Sequence, residues 1–158
     1  MKVVDNFLPN YAFKSLCNIV LGDNFSWFYN EDTAKPGDGI PQLIHNFYND
    51  YGCPAPSFHI IEPHLSFFKM KKVHRIKVNL GTKTLFHRKT GYHVDNVPCS
   101  TTAILYLNTN NGWTQFKKRG IVKSVGNRVV IFDSKLEHQG VTQTDEKRRV
   151  VINFNYEV

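Results

Sequence analysis

The stretch GYHVDN, residues 91–96, sets His93 and Asp95 one residue apart. In an extended chain, side chains at i and i+2 project to one face with their Cα atoms about 6.5–7 Å apart. His93 and Asp95 can therefore reach one ion while Val94 turns away. The pair reads either as two polar groups hydrogen-bonded on a common face or as two ligands of a divalent metal, and HxD alone does not separate the two. A third candidate, His138 in FDSKLEHQG, favours the metal. Two imidazoles and one carboxylate on one face of an octahedral ion leave three positions open, an arrangement suited to Fe(II).

Arg148 lies ten residues beyond His138, at the head of the stretch RRVVINFNY. Strand alternation groups Arg148 with Val150, Ile152 and Phe154 on one face and leaves Arg149 on the other. A permanently charged guanidinium on an inward face is costly to bury without an anionic partner. Arg148 is therefore expected to clamp a carboxylate inside the protein.

The elements that must position these groups fit one domain, residues 1–158. Hydrophobic residues make up 41% and charged residues 21%, as in a soluble globular protein. No apolar run nears the ~20 residues that span a bilayer, and MKVVDNFLPN lacks the apolar core of a secretory signal. No membrane partner and a cytoplasmic setting are expected. Cys17, Cys53 and Cys99 form no CxxC pair and read as reduced and structural. The net charge of +7 is spread over short clusters at Lys69–Lys72, Lys117–Arg119 and Lys147–Arg149. Such clusters describe a solvated basic surface, or one facing a nucleic acid or another anion.

Along the chain, Tyr11, Phe13, Leu16, Cys17 and Val20 recur at helical spacing and predict a helix over Asn10–Val20. Glu62-Pro63 resembles an N-cap with proline at the first helical position, opening a short helix to about Met70. Asp32–Pro41 reads as an exposed loop. From Arg75 onward the texture is that of strands: Arg75–Leu80, Thr101–Asn108, Ile121–Val125, Arg128–Phe132 and Arg148–Tyr156. Short strands without intervening helices predict an antiparallel sandwich or barrel over about 75–158. An N-terminal helical layer over about 1–74 would pack on it.

HVDN at 93–96, AILYLN at 103–108, VGNRVVIFD at 125–133, HQG at 138–140 and RRVVINFNY at 148–156 together resemble the Fe(II)/2-oxoglutarate-dependent oxygenases. The similarity is to the prolyl-4-hydroxylase-like branch, in the style of small oxygenases of tailed bacteriophages. It spans approximately Arg75 to Tyr156, and a phage origin would place the protein in the host cytoplasm. The resemblance implies a mainly β fold, a double-stranded β-helix (jelly-roll, cupin-like) with a metal at its open end. It further implies iron bound by His93, Asp95 and His138, with the distal carboxylate of 2-oxoglutarate on Arg148. Tyr106 matches a tyrosine whose hydroxyl bonds the same carboxylate, although a core aromatic is an equal reading. Relatives also carry a tyrosine before HxD in a Y-x-x-G context; here the chain reads VNLGTKT, with Asn79 a candidate substitute.

The implied reaction is oxidative decarboxylation of 2-oxoglutarate with O2, ascorbate supporting, coupled to hydroxylation of a protein or peptide side chain, prolyl first. The alternatives are oxidation of a nucleobase or nucleotide, and a catalytically silent β-barrel that binds a partner. His45, His59, His64, His74 and His87 lack ligand spacing and read as structural or exposed. Trp113 and the cluster NFSWFYN at 24–30 are core anchors or parts of a substrate-facing rim. Substrate choice is expected to lie in the loops Asp32–Pro41 and Thr82–Thr90.

Overall fold

Two strands with one apolar and one polar face set the architecture. In both Lys72–Thr82 and Arg148–Glu157, the residues of one parity are buried and apolar: Ile76, Val78 and Leu80 in the first, Val150, Ile152, Phe154 and Tyr156 in the second. The other parity carries Arg75, Lys77 and Asn79 opposite Asn155, Asn153 and Val151. A computed structural model describes residues 1–34, 36–95 and 98–158, so Asn96 of the HVDN motif lies outside the described residues.

In chain order the elements are β1 (Lys2–Val4), α1 (Asn10–Val20), β2 (Phe28–Asn30), β3 (Gln42–Tyr48), α2 (Phe58–Ile61) and a 3-10 helix (Glu62–Phe68). They continue with β4 (Lys72–Thr82), β5 (Thr101–Tyr106), β6 (Trp113–Phe116), β7 (Gly120–Lys123), β8 (Val129–Asp133), β9 (His138–Val141) and β10 (Arg148–Glu157). The larger sheet has the order β1-β8-β5-β10-β4-β3-β2 and the smaller one β7-β6-β9, and their ladders are antiparallel. Isolated bridges Lys89–Val141 and His93–His138 lay the stretch before Asp95 along the free edge of β9. Two facing antiparallel sheets of this order form the expected jelly-roll.

The apolar face of the larger sheet packs under α1 and the 3-10 helix, in a core that joins Leu16 and Val20 to Phe68, Ile76, Val150, Ile152 and Phe154. A second, smaller core fills the space between the sheets with Ile104, Tyr106, Phe116, Val122, Val130, Phe132 and Val151. α1 has the predicted bounds. The second helical stretch differs: it opens at Phe58, before Glu62-Pro63, and tightens to 3-10 geometry from Glu62. The N-terminal third is also more than a helical layer, because β1, β2 and β3 extend the larger sheet at both edges. These strands are short or lie next to turn-rich sequence, which hides their alternation.

The register of β10 overturns the expectation for Arg148. The residues that share its parity face the helices, so Arg148 is exposed at the strand end and its Nη2 donates to the Leu21 carbonyl at 2.9 Å. Arg149 points between the sheets instead. Alternation and hydrophobicity alone put the apolar face of β10 in the barrel interior, whereas the helical layer is what covers it. Of the three free cysteines, Cys17 is half-buried, its thiol pushed up to about 11 by burial, while Cys53 is exposed, contrary to the expectation of structural burial. Among the described residues no helix is long and apolar enough to cross a membrane.

Phe154 lies with its ring centroid 4.2 Å from that of Phe68 and is fully buried. Phe154→Ala should therefore lose about 3–5 kcal/mol, against at most about 1 kcal/mol for Arg148→Ala, which removes one exposed hydrogen bond. Urea midpoints for the two variants check this register directly.

Candidate active site

His93 and His138 are brought together by backbone pairing. The His93 amide donates to the His138 carbonyl at 3.0 Å, and the reverse bond measures 2.9 Å. The imidazole centroids then stand 4.7 Å apart. Each ring turns the same way: Nδ1 of His93 meets the Gly91 carbonyl at 3.1 Å, and Nδ1 of His138 meets the Leu136 carbonyl at 3.1 Å. A carbonyl only accepts, so each Nδ1 carries the proton and each Nε2 keeps its lone pair for a metal. Burial, with His93 and Arg75 nearby, pushes the His138 imidazole below its ordinary pKa against the pull of Asp95 and the Leu136 carbonyl. Its neutral, ligating form is favoured.

Asp95 completes the group, and ligand atoms of the three residues all lie within 4.8 Å of one another. An ion with bonds of about 2.0–2.1 Å at right angles would hold such atoms about 3 Å apart, so a small closing of side chains suffices. The carboxylate is held on its other side: Arg75 Nη2 stands 3.1 Å from Oδ1, and Asn155 Nδ2 donates to Oδ2 at 2.7 Å. Arg75 is fixed in turn, its Nε donating to Asn155 Oδ1 at 3.0 Å. Burial by itself raises the Asp95 carboxyl, but Arg75, Asn155 and the two histidines outweigh it and hold the group below the usual carboxylate range.

The three residues share a cavity of about 290 Å³ with Arg149. Arg149 Nε donates to Ser124 Oγ at 2.9 Å, Nη2 donates to Thr114 Oγ1 at 3.2 Å, and the guanidinium carbon lies 5.6 Å from the centroid of the Tyr106 ring. No carboxylate pairs with it among the described residues. Burial lowers its pKa, although a guanidinium stays charged. Gly112 makes room for this side chain. A Cβ there would stand 3.0 Å from Arg149 Cδ and 2.8 Å from the Val141 carbonyl oxygen. Thr114 pairs with Gly140, and Phe116 pairs with His138. Arg149 is thus anchored one i, i+2 step along β6 from the histidine level, about 6.5–7 Å away.

No protein-family model matches the sequence, and no curated protein matches it. Solved structures do. A 2OG-Fe(II) oxygenase family oxidoreductase from Burkholderia pseudomallei aligns with a TM-score of 0.67 at 14% identity, over 87% of this chain and 75% of that one. The chain carries the fold of the 2OG-Fe(II) oxygenases. A Pseudomonas putida prolyl-4-hydroxylase aligns with a TM-score of 0.61 at 14% identity, over 99% of this chain and 92% of that one. A prolyl hydroxylase from Trichoplax adhaerens, solved with a hypoxia inducible factor oxygen degradation domain peptide fragment, aligns at 0.60 and 14%, over 98% and 82%.

Within this oxygenase fold His93, Asp95 and His138 converge, whereas Arg148 stays outside. Tyr106 is fully buried, and its hydroxyl donates to Thr114 Oγ1 at 2.7 Å, so it backs Thr114 and Arg149. Asn79 lines the cavity, and its Oδ1 is buried without a partner among the described residues. Trp113 packs on His87 with centroids 4.8 Å apart and does not line the cavity. His45, His64 and His74 bond to Ser57, the Ala12 carbonyl and Glu157, away from the site. Arg75, Lys77, Thr114, Asn153 and Asn155 were missed. The polar parity of β4 and β10 was the signal that could have found all but Thr114.

Alanine at His93 or His138 should weaken Mn(II) binding by more than about 100-fold, the upper range for merely supporting groups; titration calorimetry measures it. Arg75→Ala removes the foremost of the groups that oppose burial of Asp95, leaving Asn155 and the histidines, so the carboxyl pKa rises and protons compete with metal at higher pH. Mn(II) affinity of that variant should fall between about pH 8 and about pH 5.5 more steeply than in wild type. Parallel curves would mean that Arg75 does not set the carboxylate.

Proposed function

We propose that the protein is an Fe(II)- and 2-oxoglutarate-dependent dioxygenase that hydroxylates a protein or peptide side chain, with a prolyl ring the first expectation. The observation that carries the reading is Arg149, a cation without an anionic partner among the described residues, in the cavity that holds His93, Asp95 and His138. A cavity this small accommodates a compact dicarboxylate and little more than one substrate side chain.

The residues fit both groups. His93 and His138 offer Nε2 lone pairs, and Asp95 offers a carboxylate oxygen steadied by Arg75 and Asn155. Bound iron would supply the activation of O2 that splits 2-oxoglutarate to succinate and CO2, with one oxygen atom entering succinate and the other a substrate C–H bond. Arg149 would take the distal carboxylate, with the Thr114 hydroxyl beside it and the Tyr106 ring beneath. Its spacing from the histidine level suits a five-carbon dicarboxylate. Ile104 and Val151 in the cavity wall, with Phe132 against the His138 ring, keep water from this end. The peptide and prolyl assignments are supported by two solved neighbours that are prolyl hydroxylases, one of them holding a peptide.

Truncating one partner of an enclosed charge-assisted pair costs about 2–5 kcal/mol. Arg149→Ala should thus weaken 2-oxoglutarate binding to the Mn(II)-loaded, anaerobic protein by about 30-fold or more. Arg148→Ala should change it only a few-fold through a screened field, and Arg149→Lys should recover part of it. With Fe(II), ascorbate and O2, wild type should release succinate slowly even without substrate. Metal-loaded protein that neither binds 2-oxoglutarate nor releases succinate would instead be a silent barrel.

A further inference from the structure

Lys77 lies on the cavity face of β4, and neither the triad nor the Arg149 clamp uses it. It is part-buried, and it makes no hydrogen bond or ion pair among the described residues. The acidic groups near it, Asp95 and Asp50, are both engaged by Arg75, at 3.1 and 3.6 Å. Burial first, then Arg75, lowers the Lys77 pKa in spite of those two carboxylates. An ammonium held away from water without a partner is costly.

Its cross-strand neighbours are both asparagines. Asn153 lies opposite Lys77 on β10 and Asn46 opposite it on β3. Asn153 lines the cavity with its buried Oδ1 unpartnered among the described residues. Arg149 leans the other way, towards Thr114 of β6 and Tyr106 of β5. Thr33 and Ala34, from the Asp32–Pro41 loop, line the same cavity. Placement gives the same division. Arg75 is engaged by Asp95, and on the dioxygenase reading a divalent ion and Arg149 take the two ends of the cosubstrate. Lys77 has neither role.

We infer that Lys77, with the Asn153 amide, binds a carboxylate carried by the substrate, so that the protein selects acidic peptides. This rests on the dioxygenase reading, because it assigns the remaining anion site to the cosubstrate. The carboxylate is a Glu or Asp side chain or a peptide C-terminus, and the test separates these.

The experiment uses the whole Mn(II)-loaded chain, anaerobic and saturated with 2-oxoglutarate. It is presented with an equimolar library of N-acetylated tetrapeptides in which each position is Pro, Glu, Gln, Lys or Leu, made both as C-terminal amides and as free acids. Retained peptides are counted by mass spectrometry. Wild type should enrich Glu-containing amides over their Gln isosteres, or free acids over amides, by about tenfold, the scale of one charge-assisted bond. Lys77→Met should abolish that preference and Lys77→Arg should keep it, while both bind 2-oxoglutarate within about twofold of wild type. No preference for carboxylates, or an unchanged preference in Lys77→Met, overturns the inference and leaves the dioxygenase reading standing. Loss of 2-oxoglutarate from Lys77→Met also overturns it, by making Lys77 part of the cosubstrate site. Failure of wild type to bind 2-oxoglutarate removes the dioxygenase reading itself.

Discussion

The larger sheet is covered on both faces, and the two covers differ in chemistry. Helices seal one face with an apolar core, while the smaller sheet stands off from the other and leaves a cavity. β4 and β10, central in that sheet, must satisfy both. Their alternation supplies aliphatic and aromatic residues to the helices and Arg75, Lys77, Asn79, Arg149, Asn153 and Asn155 to the cavity. A slip of one residue would turn Arg75 and Lys77 of β4, or Arg149 with Asn153 and Asn155 of β10, under the helices and expose a core. Fold and site are therefore held by one register.

Much of this was legible in the residues. Helical spacing located α1, and β-branched runs located β4, β5, β7, β8 and β10. The two histidines and the aspartate were legible from the i, i+2 geometry of HxD taken together with the motif order that carries the oxygenase resemblance, and the structure brings the three together. What alternation could not give is which face of β10 meets which layer. It separates Arg148 from Arg149 without saying which of them is inside, and taking the apolar face for the interior chose wrongly. In a two-layer protein with a polar cavity, the apolar face belongs to the larger core and the mixed face to the site. β2 and β3 were hidden because β2 is only three residues long and β3 mixes Gln42, His45 and Asn46 into its pattern. The extended stretch carrying His93 pairs through isolated bridges, so no strand signal of its own announces it.

The cavity's charges are not equivalent. Arg75 is spent on Asp95 and Asn155, so its positive charge serves the carboxylate rather than a ligand. Arg149 rests on hydroxyls and a ring face, partners that orient a guanidinium without neutralising it. Such support leaves the cation ready for an anion while limiting the rearrangement needed to receive one.

The backbone bridge between His93 and His138 has a thermodynamic side as well. It ties the stretch before Asp95 to β9 through two hydrogen bonds, with Lys89–Val141 the other isolated bridge to that strand. Two of the three side chains proposed to ligate metal, His93 and His138, stand on opposite sides of that seam. An ion bound across it would stabilise the closed seam over any state in which the edge has peeled away, by an amount that grows with the logarithm of free metal. The barrel's closure and its metal occupancy would then be one equilibrium, with metal supply tuning how firmly the smaller sheet stays shut.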